Sequence, residues 1–104
     1  MRRVTYAGEA LMTGSAVAEA LLDYAQYVIR AETSVSVSVP VLEQNGVVVD
    51  RTILLGPATQ LESRYADGIV GDEEARRFPV PAFPPVGGKG MPADIEPLPE
   101  YPQT

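Results

Sequence analysis

The clearest pattern of hydrophobic and polar positions lies between residues 16 and 31. The apolar positions spaced i, i+3, i+4 and i+7, as on one face of a helix, are Leu21, Tyr24, Ala25 and Val28. The polar positions that recur on the opposite side are Glu19, Asp23, Gln26 and Arg30. Ser15 precedes the pattern and is a residue type that often caps a helix N-terminus. The sequence therefore predicts an amphipathic helix from Ala16 to about Ala31, capped by Ser15.

After the helix, every second residue is a valine, and the positions between are serine or, once, proline. This alternation runs from Val35 to Val41 and predicts a β-strand, and Asn45-Gly46 is a strong hairpin signal before a return strand from Val47 to Leu55. A two-residue loop would place apolar residues opposite polar ones, whereas the three-residue loop Gln44-Asn45-Gly46 sets Val41 against Val49 and Val35 against Leu55. Since a slip of one residue turns every side chain to the other face, we predict the three-residue loop, with Gly46 in the left-handed conformation.

Two residues of this hairpin carry further information. In the predicted register Arg51 lies opposite Val39, on an otherwise apolar face. We therefore predict that its guanidinium reaches the rim of the sheet or meets a carboxylate, in this chain or in another, which makes Arg51 a candidate partner-binding residue. Pro40 has no backbone N–H, so the first strand of the hairpin is predicted to be an edge strand.

The rest of the first 77 residues gives weaker patterns. A short strand is predicted from Arg3 to Tyr6 and a loop from Ala7 to Gly14, while Leu61 to Tyr65 favours a third strand over a short helix. Asp72 is predicted to cap one helical turn that ends at Arg77. Together these elements predict an α+β body over residues 1–77, in which one amphipathic helix packs on a small antiparallel sheet built around a central β-hairpin.

Residues 78–104 have a different composition and are predicted to form an extended, proline-rich C-terminal arm. They hold eight of the ten prolines, a density that excludes a helix or a central strand, and Gly87 to Gly90 add a point where the arm can bend. The arm also carries more large apolar residues than a spacer needs, which predicts that it docks on another surface. These predicted partner-binding residues are Phe78, Phe83, Ile95, Leu98 and Tyr101. We expect the arm to be dispensable for folding and necessary for partnership.

Composition argues against most catalytic chemistry. The chain has no histidine and no cysteine, so the commonest general base, the strongest nucleophile and the usual zinc ligands are missing, and we predict no enzyme activity and no cofactor. The acidic run Asp72-Glu73-Glu74 lacks the spacing of a calcium loop and is predicted to be a solvated helix start. Gly87-Gly88-Lys89-Gly90 lacks the spacing of a phosphate-binding loop, and neither a small-molecule substrate nor a metal is predicted.

Charge and hydropathy limit the kinds of partner. The net charge is −6, of which residues 1–77 contribute −4 (seven basic, eleven acidic) and residues 78–104 contribute −2 (one basic, three acidic). An acidic chain without a basic stripe lacks the electrostatic surface that nucleic-acid binding requires, so no nucleic acid is predicted as a partner. No stretch approaches the roughly 20 apolar residues of a membrane span, and no membrane partner is predicted. The expected location is the cytoplasm, or a particle assembled there.

The function class that remains is protein binding. We predict a non-catalytic assembly or accessory subunit of a larger complex, for example a virion or another multi-copy particle, whose C-terminal arm docks on neighbouring chains. Its partners would be proteins, in a homo-oligomer or a multi-copy complex. The alternative is an inhibitor or antitoxin-like protein that binds and occludes a target protein. Stoichiometry distinguishes the two, since an inhibitor forms a discrete complex with its target.

Overall fold

The computed structural model describes residues 1–86, which form two small antiparallel sheets around one long helix. The strands are β1 (Arg2–Tyr6), β2 (Glu9–Thr13), β3 (Val35–Leu42), β4 (Val48–Leu55) and β5 (Leu61–Tyr65), and the helices are α1 (Ser15–Ala31) and α2 (Gly71–Arg77). The α+β class is confirmed. The part of the arm after Val86, with its predicted bend at Gly87 to Gly90, lies outside the described residues.

A hairpin occupies the segment that the sequence predicted to be a loop. β1 pairs with β2 from Arg2 against Thr13 to Tyr6 against Glu9, so the prediction of a loop from Ala7 to Gly14 was wrong. Ala7 and Gly8 both have positive φ, 52° and 82°, as a two-residue hairpin turn requires. Alanine seldom adopts this conformation, and the turn therefore lacks the usual sequence signal.

The first sheet has the strand order β2-β1-β5, and the predicted third strand is confirmed as β5. Val4 faces Leu11 across the β1–β2 pair, and both side chains are buried. Thr13, on the same face, is also buried, and its hydroxyl donates to the Pro40 carbonyl at 2.6 Å. This bond joins the end of β2 to β3, where the two strands lie close together.

The second sheet is the β3–β4 hairpin, and its register is as predicted. Val41 pairs with Val49 and Val35 with Leu55, and Gly46 has a φ of 84°. Glu43 N–H donates to Val47 O at 2.9 Å, which leaves the three-residue loop between them. Among the described residues β3 is hydrogen-bonded as a strand to β4 alone, so the prediction of an edge strand is confirmed, whereas the single predicted sheet is in fact two.

The core lies between α1 and the inner faces of the two sheets. The buried residues of α1 are Val17, Ala18, Leu21, Ala25 and Val28, and those of the hairpin include Val37, Val39, Ile53 and Leu55. The predicted helix is confirmed, but Ser15 is its first residue and not its cap, because Gly14 occupies the N-cap position and makes no side-chain bond. The helix ends at Ala31, and the C-cap residue Glu32 has a left-handed backbone that directs its N–H to the carbonyls of the last turn.

The last helix brings Phe78 into this core. α2 confirms the predicted helical turn, although its N-cap is Val70 and Asp72 makes no capping bond. Phe78 is 1% exposed, and its side chain packs so closely on Gly14 that a Cβ at position 14 would lie 2.7 Å from the Phe78 Cβ. Phe78 is therefore a core residue of the body, and the boundary that we placed after Arg77 divides this core.

Membrane insertion through a helix finds no support in the part of the chain that the structure describes. Neither α1 nor α2 combines the length and the apolar character that a transmembrane helix needs.

Candidate protein-binding surfaces

Arg51 is held by carboxylates of its own chain. Its Nη2 lies 2.9 Å from Glu9 Oε1 and its Nη1 lies 4.0 Å from Glu43 Oε2. The side chain is 41% exposed, so it reaches the rim of the hairpin and meets a carboxylate, and the prediction for its environment is confirmed. Exposed ion pairs of this kind contribute about 0–1 kcal/mol to stability.

The first residues of the predicted arm dock on α1 of the same chain. The Phe83 ring stacks on Tyr24, with 4.8 Å between ring centroids and 24° between their planes. The Tyr24 hydroxyl donates to Pro84 O at 2.6 Å, and burial raises the pKa of Tyr24. Val86 also packs against the core. We call residues 78–86 the strap, because they cross α1 as an extended segment.

The length of the strap fits its path along α1. An extended proline-rich chain rises about 3.1 Å per residue, so the five steps from Phe78 to Phe83 span about 15 Å. Phe78 packs near Gly14 and Phe83 near Tyr24, and the ten helical steps between those two residues also span about 15 Å. The strap therefore runs parallel to the helix, with one strap residue for every two helix residues.

The predicted partner-binding residues consequently fall into three groups. Phe78 is buried in its own body, so its assignment as a partner-binding residue was wrong, because a side chain 1% exposed has no surface to offer. Phe83 is partly buried on Tyr24, whereas Arg51 lies on the hairpin with its two carboxylates. The other three, Ile95, Leu98 and Tyr101, lie outside the described residues.

The outer edge of β4 is open. Because Glu43 and Val47 are a hydrogen-bonded pair, the alternation of an antiparallel ladder points the backbone N–H and C=O of every second residue from Val48 onward away from β3. The residues with outward backbone groups are Val48, Asp50, Thr52 and Leu54. In residues 1–86, β4 is paired as a strand only with β3, on its other side.

Tyr6 closes one end of that edge. Its hydroxyl donates to Leu54 O and accepts from Leu54 N–H at 3.0 Å, so a single phenol satisfies both outward groups of Leu54. Beyond this bridge lies an open cleft of about 720 Å³ between the β1–β2 turn and the loop after β4. Apolar side chains of Leu54, Pro57, Ala58 and Leu61 line part of it. Leu54 is 57% exposed, which leaves an apolar surface beside the open edge.

Glu74 performs the capping role that the sequence assigned to Ser15. Its Oε2 accepts hydrogen bonds from Ser15 N–H at 2.7 Å and from Ser15 Oγ at 3.0 Å, and it lies 2.9 Å from the Met1 ammonium. The hydrogen bond from the Met1 ammonium is the main cause that lowers the pKa of the Glu74 carboxyl, and the bonds from Ser15 lower it further against the opposing effect of burial. The prediction that this acidic run is a solvated helix start was therefore wrong for Glu74.

Three residues that matter to these surfaces had no clear signal in the sequence. Tyr6 and Tyr24 were assigned only to a strand and a helix face, since a tyrosine pattern does not reveal which backbone group its hydroxyl will find. Glu74 was one of three adjacent acids, and only the fold distinguishes it. Among residues 1–86, no three histidine, cysteine, aspartate or glutamate side chains lie close enough together to hold a metal ion.

Comparison with known proteins identifies no relative. The chain matches no family model, no curated protein and no solved structure.

Proposed function

We propose that this chain is a non-catalytic subunit of a larger protein complex, which attaches to neighbouring chains through the residues that follow the strap. The observation that supports this most directly is the anchoring of Phe83 and Pro84 on Tyr24. Because the strap packs on α1, Val86 has a defined position on the body, and 18 residues follow it in the sequence. A segment attached at a fixed point loses less freedom on binding than one that starts from a mobile tail.

The residues after Val86 have the composition of a binding segment. Ile95, Leu98 and Tyr101 are large and apolar and are spaced three residues apart, while three acidic residues and Lys89 are interspersed between the glycines and prolines. Extended proline-rich chains keep few backbone donors, so partners recognise them chiefly through side chains placed in pockets. We therefore assign the main contact energy to these three residues rather than to Phe78 or Phe83, whose rings pack within the body.

The experiment compares two triple variants of the full chain. In the first, Ile95, Leu98 and Tyr101 are replaced by alanine, and in the matched control Lys89, Asp94 and Glu100 are replaced by alanine. Size-exclusion chromatography with light scattering measures the mass of each, both as purified protein and as material isolated with its natural partners. We expect the first variant to lose complex formation by at least tenfold in apparent affinity and the control to lose less than threefold.

The same measurement separates the two functions that the sequence left open. A subunit of a multi-copy assembly gives a mass of many chains, or association of the 11.1-kDa protein beyond a dimer as its concentration rises. An inhibitor or antitoxin-like protein gives a discrete one-to-one or two-to-two complex with one target. Equal retention of the complex by both triple variants would refute the proposed role of the C-terminal residues.

A further inference from the structure

The open edge of β4 offers a second contact, which does not use the C-terminal residues. We propose that this edge pairs with the same edge of a second copy of the chain, antiparallel and about a twofold axis at Val49. The two β3–β4 hairpins then form one four-stranded sheet. The proposal goes beyond the assembly function above, because it assigns a self-association surface to the body itself.

The other strand edges of the body are less suited to pairing. β2 lies close to β3, where Thr13 Oγ1 donates to Pro40 O and Pro40 has no N–H to offer an added strand. Ser63 of β5 lines a depression beside α1 together with Leu22 and Gln26. The edge of β4 is longer than that of β5 and presents the unpaired backbone groups that invite an added strand.

The charges on β4 decide which pairing register two copies can adopt. In an antiparallel pair, a residue that directs its backbone N–H and C=O to the shared edge must lie opposite another residue that does the same. On β4 these are every second residue, so the twofold axis passes through a residue and not between two residues. An axis at Asp50 places the two Asp50 carboxylates directly opposite each other, and an axis at Arg51 does the same with two guanidinium groups. Like charges directly opposite each other destabilise a strand pair, and both registers are disfavoured.

Existing hydrogen bonds limit the registers on either side. With the axis at Thr52, the hydrogen-bonded pairs on either side of it would use the backbone N–H and C=O of Leu54. The Tyr6 hydroxyl already bonds both of these groups. An axis at Val48 would need the backbone of Gly46. Gly46 N–H already donates to Glu43 O at 3.0 Å, and Gly46 O accepts from Arg77 Nη2 at 2.9 Å.

The register centred on Val49 opposes no like charges, and its two central pairs use neither Gly46 nor Leu54. Val48 of each copy then faces Asp50 of the other, and these two pairs exchange four backbone hydrogen bonds. Val49 faces its counterpart and Val47 faces Arg51, so no like charges are opposed. Val47 and Val49 are 50% and 36% exposed in the single chain, and pairing covers both. We therefore assign a second copy as the occupant of this edge.

The chain's own C-terminal residues are poorly matched to the same edge. Pro92, Pro97, Pro99 and Pro102 cannot donate to a strand ladder. The acidic side chains between them, Asp94 and Glu96, would approach Asp50, which carries the same charge.

Single cysteines in this cysteine-free chain test the register directly. At the proposed axis the two residues form a non-hydrogen-bonded pair with Cα atoms about 4.5 Å apart, a separation that a disulfide spans. We expect Val49→Cys in the full chain to form a disulfide-linked dimer at least tenfold faster than Leu54→Cys, which reports random collision of an exposed site. Asp50→Cys and Arg51→Cys report the two competing registers.

A second set of variants tests the contact without cysteine. Val49→Lys places two ammonium groups at the axis and should weaken dimerisation at least tenfold in sedimentation equilibrium, whereas Leu54→Lys should change it less than threefold. Val49→Cys is also placed in the Ile95, Leu98 and Tyr101 triple variant. Unchanged cross-linking there supports a contact independent of the proposed C-terminal interaction, and its loss overturns that independence. Equal cross-linking at positions 49 and 54, faster cross-linking at position 50 or 51, or a monomer at all concentrations overturns the proposed dimer.

Discussion

Replacement of Phe83 by alanine is the most direct test of whether the strap is part of the folded body. Our expectation from the sequence was that the whole arm is dispensable for folding. The contacts of Phe83 with Tyr24 and of Pro84 with the Tyr24 hydroxyl predict instead that the strap stabilises the domain. Phe83→Ala removes the stacked ring and leaves the backbone of the strap unchanged, so it isolates the contribution of that contact.

The magnitude follows from burial and stacking. Complete burial of a phenylalanine contributes about 1.5–3 kcal/mol, and Phe83 is only partly buried, so about 1 kcal/mol is a reasonable share. Aromatic stacking adds about 0.5–1.5 kcal/mol. We therefore expect Phe83→Ala to lower the free energy of unfolding by about 2 kcal/mol, or the melting temperature by about 10 °C in a domain of this size. Phe78→Ala, at a fully buried site, should lose about 3–5 kcal/mol.

Urea denaturation followed by far-ultraviolet circular dichroism measures these differences on the full chain. Val80→Ala is the matched control, because Val80 belongs to the same strap and is 49% exposed. Tyr24→Phe keeps the stacked rings and removes only the hydrogen bond to Pro84 O, and it should lose about 1 kcal/mol. If Phe83→Ala proves as stable as Val80→Ala, the strap is not docked in solution and the argument fails.

Three further predictions concern the body. Glu74→Gln should reduce stability most at neutral pH, because the hydrogen bond from the Met1 ammonium is the main cause that lowers the pKa of Glu74. A carboxyl with a lowered pKa stabilises the native protein above the pKa of the unfolded state, and this stabilisation disappears as pH falls through the pKa of the folded state. Thermal melts that show the same difference at pH 7 and pH 2 would contradict this. Gly46→Val should lower the free energy of unfolding by about 1–3 kcal/mol, because Gly46 has a positive φ. A Cβ at this position meets no atom within 4 Å, so the loss reports backbone strain alone, and Gly46→Asn should lose less in the same denaturation assay. Arg51→Met should change stability by less than about 1 kcal/mol, and a loss above 2 kcal/mol would show that its pair with Glu9 is stronger than its exposure implies.

The hairpin register was predictable because the apolar positions of its two strands can share one face in only one register. Valines on one strand and apolar residues on the other must share a face, and only the three-residue loop brings Val41 opposite Val49. The same register left Arg51 on the apolar face, and the fold accommodates it with Glu9 from the first sheet. That partner could not be predicted, because it comes from a hairpin whose turn, Ala7-Gly8, has no typical turn sequence.

Apart from the missed β1–β2 turn, the errors at Ser15 and Phe78 share a physical cause, since both depend on contacts between residues distant in sequence. Ser15 has the chemistry of a helix cap, but Glu74, 59 residues later, supplies the acceptor for its backbone N–H. Phe78 precedes a proline-rich stretch and looks like part of an arm, yet it fills the space over Gly14. Local propensity therefore located α1, the β3–β4 hairpin, β5 and α2 but missed β2, and the closure of the core depends on tertiary contacts.

A proline-rich segment can close a small core without adding a strand or a helix. Prolines bring no backbone N–H that would need a buried partner, so the strap mainly has carbonyls to satisfy, and the hydroxyl of Tyr24 satisfies the carbonyl of Pro84. The extended backbone advances about twice as far per residue as the helix beneath it, so a few residues cover much of α1. The strap therefore adds Phe78, Phe83 and Val86 to a core built from few residues. The same anchoring holds Val86, which precedes the proposed binding residues in the sequence, at a defined position, and this connects the stability of the body to its proposed partnership.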